Sequence, residues 1–245
     1  MTPKNARNCK DERISKSEEL SQARAKLSIV VVKVQDTTNV ISRSEQGLPV
    51  VPADNVADAI TSISSKITVA LLESVFPKSA EKNIEASTPY LQAALQEFKI
   101  SDSRLAAIIV ATIAVETPNF QVFEESIEAA QRRENLKLPG DTQPGDVVRY
   151  RSRGYLGITG RTNYATMSTR LGLGTRLLDT PEDAKSPEVA CRILVAWFVD
   201  RQEKLSAALA SGDLAAFRRA VRGPVVDQAD LSKFSAIYHK VLAQL

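Results

Sequence analysis

Between Ser101 and Glu125 the large apolar residues Leu105, Ile108, Ile109 and Ile113 recur at spacings of three and four, with Thr112 and Glu116 on or beside the same stripe. That period predicts a helix. Pro118 disfavours helical geometry at Thr117, so the helix is expected to end at about Glu116. From residue 54 onward the pattern predicts further helices: a short one over 54–65, one over 69–76 capped by Thr68 and ended by Pro77, and one over 79–96 interrupted near Pro89. In the last of these Ile84, Leu91, Ala94 and Leu95 face inward. Others are expected over 124–135, 162–171, 187–211, 213–221 and 230–245, the third of these placing Val189, Ile193, Ala196 and Trp197 near its core face. Residues 137–148 hold Pro139, Gly140, Pro144 and Gly145 and predict a mobile loop.

The chain before residue 54 has a different texture. Residues 1–26 are polar and charged and predict a disordered or loosely helical tail. Residues 28–35 are β-branched and predict a strand that needs a partner. Residues 36–53, with Gly47, Pro49 and Pro52, read as a linker. The domain organisation is therefore an N-terminal extension over 1–53, open to a docking partner, and a mainly α domain over 54–245.

Glu116 is a carboxylate on an apolar stripe at the end of its helix. Apolar surroundings and the negative end of the helix dipole both disfavour ionisation, so its pKa is expected to be raised, as a general acid requires. Glu124 and Glu125 follow eight and nine residues later, across a segment that cannot continue the helix. Two facing carboxylates are the arrangement of glycoside hydrolysis. The plainer alternative is that Glu116 ends a helix at the surface and the Glu pair opens the next one, where negative charge is favourable.

Composition narrows the function classes. The 245 residues carry a net charge of +3 and a sequence pI of about 8.8, with 43% hydrophobic and 25% charged residues. This suits weak attraction to an anionic polymer and is too little to argue nucleic-acid binding without a clustered basic patch. Phe, Trp and Tyr make up 5%, too few for a stacking platform for single strands. Cys9 and Cys191 are expected to be free thiols, and His239 is the sole histidine, so no metal-ligand spacing and no cofactor is expected. The apolar run over 27–34 is too short for a membrane span and too deep for a signal peptide, so synthesis in the cytoplasm without stable membrane insertion is expected.

Residues 149–164 read R-Y-R-S-R-G-Y-L-G-I-T-G-R-T-N-Y. Gly154, Gly157 and Gly160 allow close backbone approach, and Tyr150, Tyr155 and Tyr164 are suited to lining a sugar-sized cleft. A turn-rich structural segment is the alternative.

The order V-E-T-P-N-F-Q-V-F-E-E, then Y-R-S-R-G-Y-L-G-I-T-G-R-T-N-Y, then D-T-P-E-D-A-K-S-P-E-V-A-C-R-I-L-V-A-W-F resembles family 19 chitinases and the related phage and bacterial endolysins. The similarity runs from near Ile67 to the C-terminus. It implies a mostly helical, two-lobed, lysozyme-like fold with a cleft. By the same resemblance Glu116 is the general acid and Glu125 the general base of an inverting hydrolase, with Glu124 the less favoured base. Inversion requires carboxyl groups roughly 6.5 to 9.5 Å apart. Tyr155, Thr159 and Asn163 are implied to line the sugar cleft, with Glu124, Tyr150 and Arg153 also binding substrate, and Arg153 and Arg161 holding the charge of the base. The family's His before the acid is Val115 here, its Gly-Gly after it is Pro118-Asn119, its Gln in the middle motif is Gly157, and its C-terminal Asn-Gly is Arg222-Gly223.

Two functions follow as expectations: hydrolysis of β-1,4-linked N-acetylglucosamine polymers, chitin or peptidoglycan, at the cell wall after release or export; or glycan binding by a lysozyme-like module that has lost turnover with the Gln and Asn.

Overall fold

The computed structural model describes residue 58, residues 63–133 and residues 140–245. The expected tail, strand and linker, and most of the helix over 54–65, lie outside the described residues.

The described chain is mainly α. Helix α1 spans Val69–Val75, with the Thr68 hydroxyl accepting from the amide of Leu71 at 3.1 Å, and a 3-10 turn at Lys78–Ala80 leads into α2, Glu81–Glu97. Pro89 does not interrupt α2. It lies on the exposed face, so the carbonyl of Glu85 that loses its amide partner is on the solvent side, and the helix continues through it.

Helix α3, Ser103–Glu116, is the centre of the fold. Asp102 caps it by accepting from the Arg104 amide at 2.8 Å, and every residue from Leu105 to Ala114 is buried. The stripe that the sequence predicts is thus covered on all sides. Helix α11, Gln228–Leu242, packs along it, capped at its own start by Asp227.

After α3 come strand β1 (Phe123–Glu124), α4 (Ile127–Arg132), α5 (Asp146–Arg149) and strand β2 (Arg153–Gly154). The two strands pair antiparallel, Phe123 opposite Gly154 and Glu124 opposite Arg153. The Glu pair therefore does not open a helix as the pattern predicted. Tertiary pairing with the Tyr-Gly segment holds it extended, and the helix begins only after the Ser126 cap. The expected loop over 137–148 likewise ends in the short α5.

Helices α6 (Arg161–Arg170) and α7 (Arg176–Asp179), a 3-10 turn at Pro181–Lys185, and α8 (Pro187–Val199) follow. The helix expected over 187–211 is two: α8 and α9, Gln202–Ser211, separated at Asp200 and Arg201. No Gly or Pro marks this break. Arg201 stacks its guanidinium 4.0 Å from the Trp197 ring centroid and donates to the Trp197 carbonyl, while Asp200 pairs with Arg170 at 2.6 Å. Helix α10, Leu214–Arg222, completes the order before α11.

Two buried clusters form the interior. The larger gathers α1, α2, α3 and α11; the smaller holds Tyr150, Ile158, Tyr164, Met167, Leu171 and Leu177. Helix α8 is the wall between them. Ala190, Cys191, Leu194, Val195 and Phe198 face the first cluster, and Val189, Ile193 and Ala196 the second. This is the spacing of three and four read on two opposite faces of one helix.

Candidate active-site groove

A groove crosses the surface at the C-terminal end of α3. It comprises three neighbouring depressions. The middle one, about 440 Å³, is lined by Glu116, Thr117, Phe123, Ser152, residues 154–157, Val221 and Arg222. A second, about 290 Å³, shares Glu116, Thr117 and Phe123 and continues over Pro118, Asn119 and Gln121. The third, about 660 Å³, shares Leu156, Gly157 and Val221 and reaches Thr159, Asn163, Trp197, Arg201 and Lys204.

Glu116 is the last residue of α3 and its carboxylate lies in this groove, 13% exposed. The apolar surroundings expected from the sequence are replaced by two arginines from α10. Arg218 Nη1 donates to Oε1 at 2.9 Å and Arg222 Nη1 to Oε2 at 3.2 Å. Arg218 is fully buried. It also donates through Nε and Nη2 to Oδ2 of Asp230 at 2.8 and 2.5 Å, and lies 5.3 Å from the Phe234 ring centroid. A buried guanidinium bridging two carboxylates is a satisfied arrangement, because each charge has an opposite partner with hydrogen-bond geometry.

Glu125 stands behind the groove wall rather than lining it. Its backbone amide donates to the Ser152 carbonyl at 2.9 Å, and its Oε2 accepts from the Ser152 amide at 3.2 Å. Arg133 Nε donates to Oε1 at 2.9 Å, and Nη2 also donates to Oε2. This guanidinium, with the Ser152 amide, holds the Glu125 carboxyl below the usual carboxylate range despite partial burial. Ser152 itself lines the groove, so one residue separates Glu125 from the Glu116 depression.

Glu124 is held more firmly. Lys185 Nζ donates to Oε2 at 2.8 Å, and Arg153 Nε and Arg151 Nη2 donate to Oε1 at 2.9 and 2.6 Å. Lys185 first, then the two arginines, outweigh burial and bring its pKa to about 2. Glu124 is an ionised structural anchor for the hairpin.

Other expected site residues fall into two groups. Thr159 and Asn163 line the third depression, joined by the Asn163 side-chain amide donating to the Thr159 carbonyl at 2.8 Å. Tyr155 lines the groove as expected but with its ring buried, and Tyr150 and Arg153 differ from expectation. Tyr155 forms part of the groove wall with its ring fully buried against Phe120, 5.3 Å between centroids, and its hydroxyl donating to Ser87 Oγ at 2.9 Å. Tyr150 is 1% exposed and borders a separate depression with Arg149, Arg161 and Asp179. Arg153 is fully buried, donating also to the Tyr164 hydroxyl at 3.0 Å. Aromatic bulk and the pairing of β2 draw these three side chains into the interior. Nor does Arg161 hold Glu125: it pairs with Asp146 at 2.5 Å, and Arg133 serves Glu125 instead.

The residues that sequence reading missed are Arg218, Arg222, Arg133, Ser152 and Phe123. Arg218 and Arg222 are four apart on one helix and so share a face, which was a readable signal. Their partner, more than a hundred positions away, was not.

No family model and no curated protein matches this sequence. Among solved structures the chain is similar to chitinase C from Streptomyces griseus HUT6037, at 16% identity and a TM-score of 0.46, covering 73% of this chain and 77% of that one.

Proposed function

We propose that the groove binds a β-1,4-linked N-acetylglucosamine polymer, peptidoglycan or chitin, and that Glu116 and Glu125 hydrolyse it with inversion. In this mechanism Glu116 protonates the departing glycosidic oxygen. Glu125 takes a proton from the water that attacks the anomeric carbon on the opposite face. The observation that carries the reading is the place of Glu116: a carboxylate at a helix end, inside a groove that extends to both sides of it, with Glu125 on the adjoining hairpin. Polymer on both sides of an acid is what cleavage within a chain needs. The motif resemblance supplies the sugar. An ionised Glu125 suits a base, although its lowered pKa weakens it as a proton acceptor.

A second reading is glycan binding without turnover. It is favoured by the ion pairs: Glu116 is clamped by Arg218 and Arg222, and Glu125 by Arg133. Catalysis requires Arg222, which is 59% exposed, to swing away from Glu116 when sugar enters, and Ser152 to move so that Glu125 faces the groove.

The test is release of reducing ends from chitin oligomers and from cell-wall sacculi by the native protein and by Glu116→Gln. Hydrolysis that disappears in the variant supports the mechanism. Equal release by both ends it, and oligosaccharide binding with no release from about pH 4 to about pH 8 establishes the second reading.

A further inference from the structure

Three aromatic residues border the groove, and they are not equivalent. Tyr155 has its ring buried. One face of Trp197 is covered by Arg201 at 4.0 Å. Phe123 is 45% exposed, although a phenyl ring gains more than most side chains from burial. Its backbone keeps the β1–β2 register opposite Gly154, and its neighbour Val122 is the residue that packs on the larger core. The fold therefore uses the main chain of Phe123 and leaves the ring unused.

The position of the ring is specific. Glu116, Thr117 and Phe123 are the residues common to the middle depression and to the one over Pro118 and Asn119. Any linear ligand running through both must cross this junction, so the exposed ring and the Glu116 carboxylate meet the same stretch of it. Val221 and Arg222 line the same depression. An apolar ring face beside a carboxylate matches a pyranose, which presents a face of C–H groups and a rim of hydroxyls.

Resting on the glycan reading above, we infer that Phe123 is the platform on which one N-acetylhexosamine ring stacks beside Glu116, making it a positioning residue of the groove. Stacking fixes the height and tilt of that ring, and so the placement of its glycosidic oxygen against the acid. Because the ring is half exposed and outside both buried clusters, its loss removes ligand contact without opening a core cavity.

The sole tryptophan, Trp197, lines the third depression and reports occupancy without turnover. Chitin oligomers and soluble peptidoglycan fragments are titrated against the native protein, Phe123→Ala and Phe123→Trp, with calorimetry as the reference for the last, which adds a second emitter. Phe123→Ala is expected to bind roughly tenfold more weakly, and Phe123→Trp to restore affinity, with thermal unfolding unchanged in both. Equal affinity of the native protein and Phe123→Ala overturns the platform while leaving the glycan reading in place, and so does equal weakening in Phe123→Ala and Phe123→Trp. If the native protein binds neither oligomer, the glycan reading fails and the platform with it.

Discussion

Arg218 reaches Glu116 across a sequence separation of 102 residues and fixes the end of the central helix to the helix before the C-terminal one. The same guanidinium holds Asp230 at the start of α11. Three helices thus meet on one fully buried cation. Substituting it by methionine leaves Asp230 without its cation and Glu116 with the exposed Arg222 alone. The expected loss is about 3 to 5 kcal/mol, or roughly 10 °C in Tm for a domain of this size, read by thermal unfolding. A change below about 1 kcal/mol would show that the bridge is not needed for stability.

Glu116→Gln keeps the shape and removes the charge. Arg218 retains Asp230 as partner, so the stability cost is expected to be only about 1 kcal/mol. Hydrolysis is expected to fall by a factor on the order of 100 to 10,000, the usual worth of a general acid. Reducing-end assays beside a denaturation curve separate the two effects.

Acid weakens the hairpin over a defined window. Glu124 has its pKa depressed from an ordinary 4.5 to about 2, so its contribution to stability is complete above about pH 4.5 and is lost as pH falls towards about 2. At neutral pH, Glu124→Gln leaves the buried Arg153 with only the exposed Glu182, 3.6 Å away, as a carboxylate partner. The cost is on the order of 2 kcal/mol, after allowing for the quarter of Glu124 that remains exposed. Urea unfolding of both proteins between pH 7 and pH 2 should show the difference shrinking across that window. A difference that stayed constant with pH would contradict the assignment.

Placing at Gly157 the glutamine of the family that the motif resembles is expected to fail. Gly157 has φ +69, which a side chain tolerates at a cost of about 1 to 2 kcal/mol, and an added Cβ would lie 2.8 Å from the Ser152 hydroxyl. That hydroxyl donates to the Gly157 carbonyl at 2.9 Å. Gly157→Gln should therefore lower Tm by several degrees and bring no gain in hydrolysis. Adding Ser152→Ala should recover part of the stability, because it relieves the clash and not the backbone. Full stability in the single variant would refute the strain.

The helices were legible where a period of three and four met a cap or a proline. Thr68 caps its helix as expected, and Asp102, Ser186 and Asp227, which were not among the expected caps, do the same. What could not be read was decided between distant segments. The split between α8 and α9 rests on Arg201 covering Trp197, and the extended Glu124 on pairing with Arg153. At the groove, the sequence indicated the element that carries Glu116 and the segment that carries Thr159 and Asn163. It did not indicate that the charge facing Glu116 comes from α10, because any of the arginines in the chain was an equal candidate by residue type.

Phe120 has φ +51, an uncommon backbone for an aromatic residue, and its fully buried ring meets Phe76 edge-on at 4.9 Å. The chain just beyond Glu116 is thus staked into the interior four residues after the acid. That bank of the channel is tied to the core by packing. On the proposed glycan reading, a ligand wider than the resting gap is accommodated where Arg222 ends its helix at Gly223, and breadth of selection is set there.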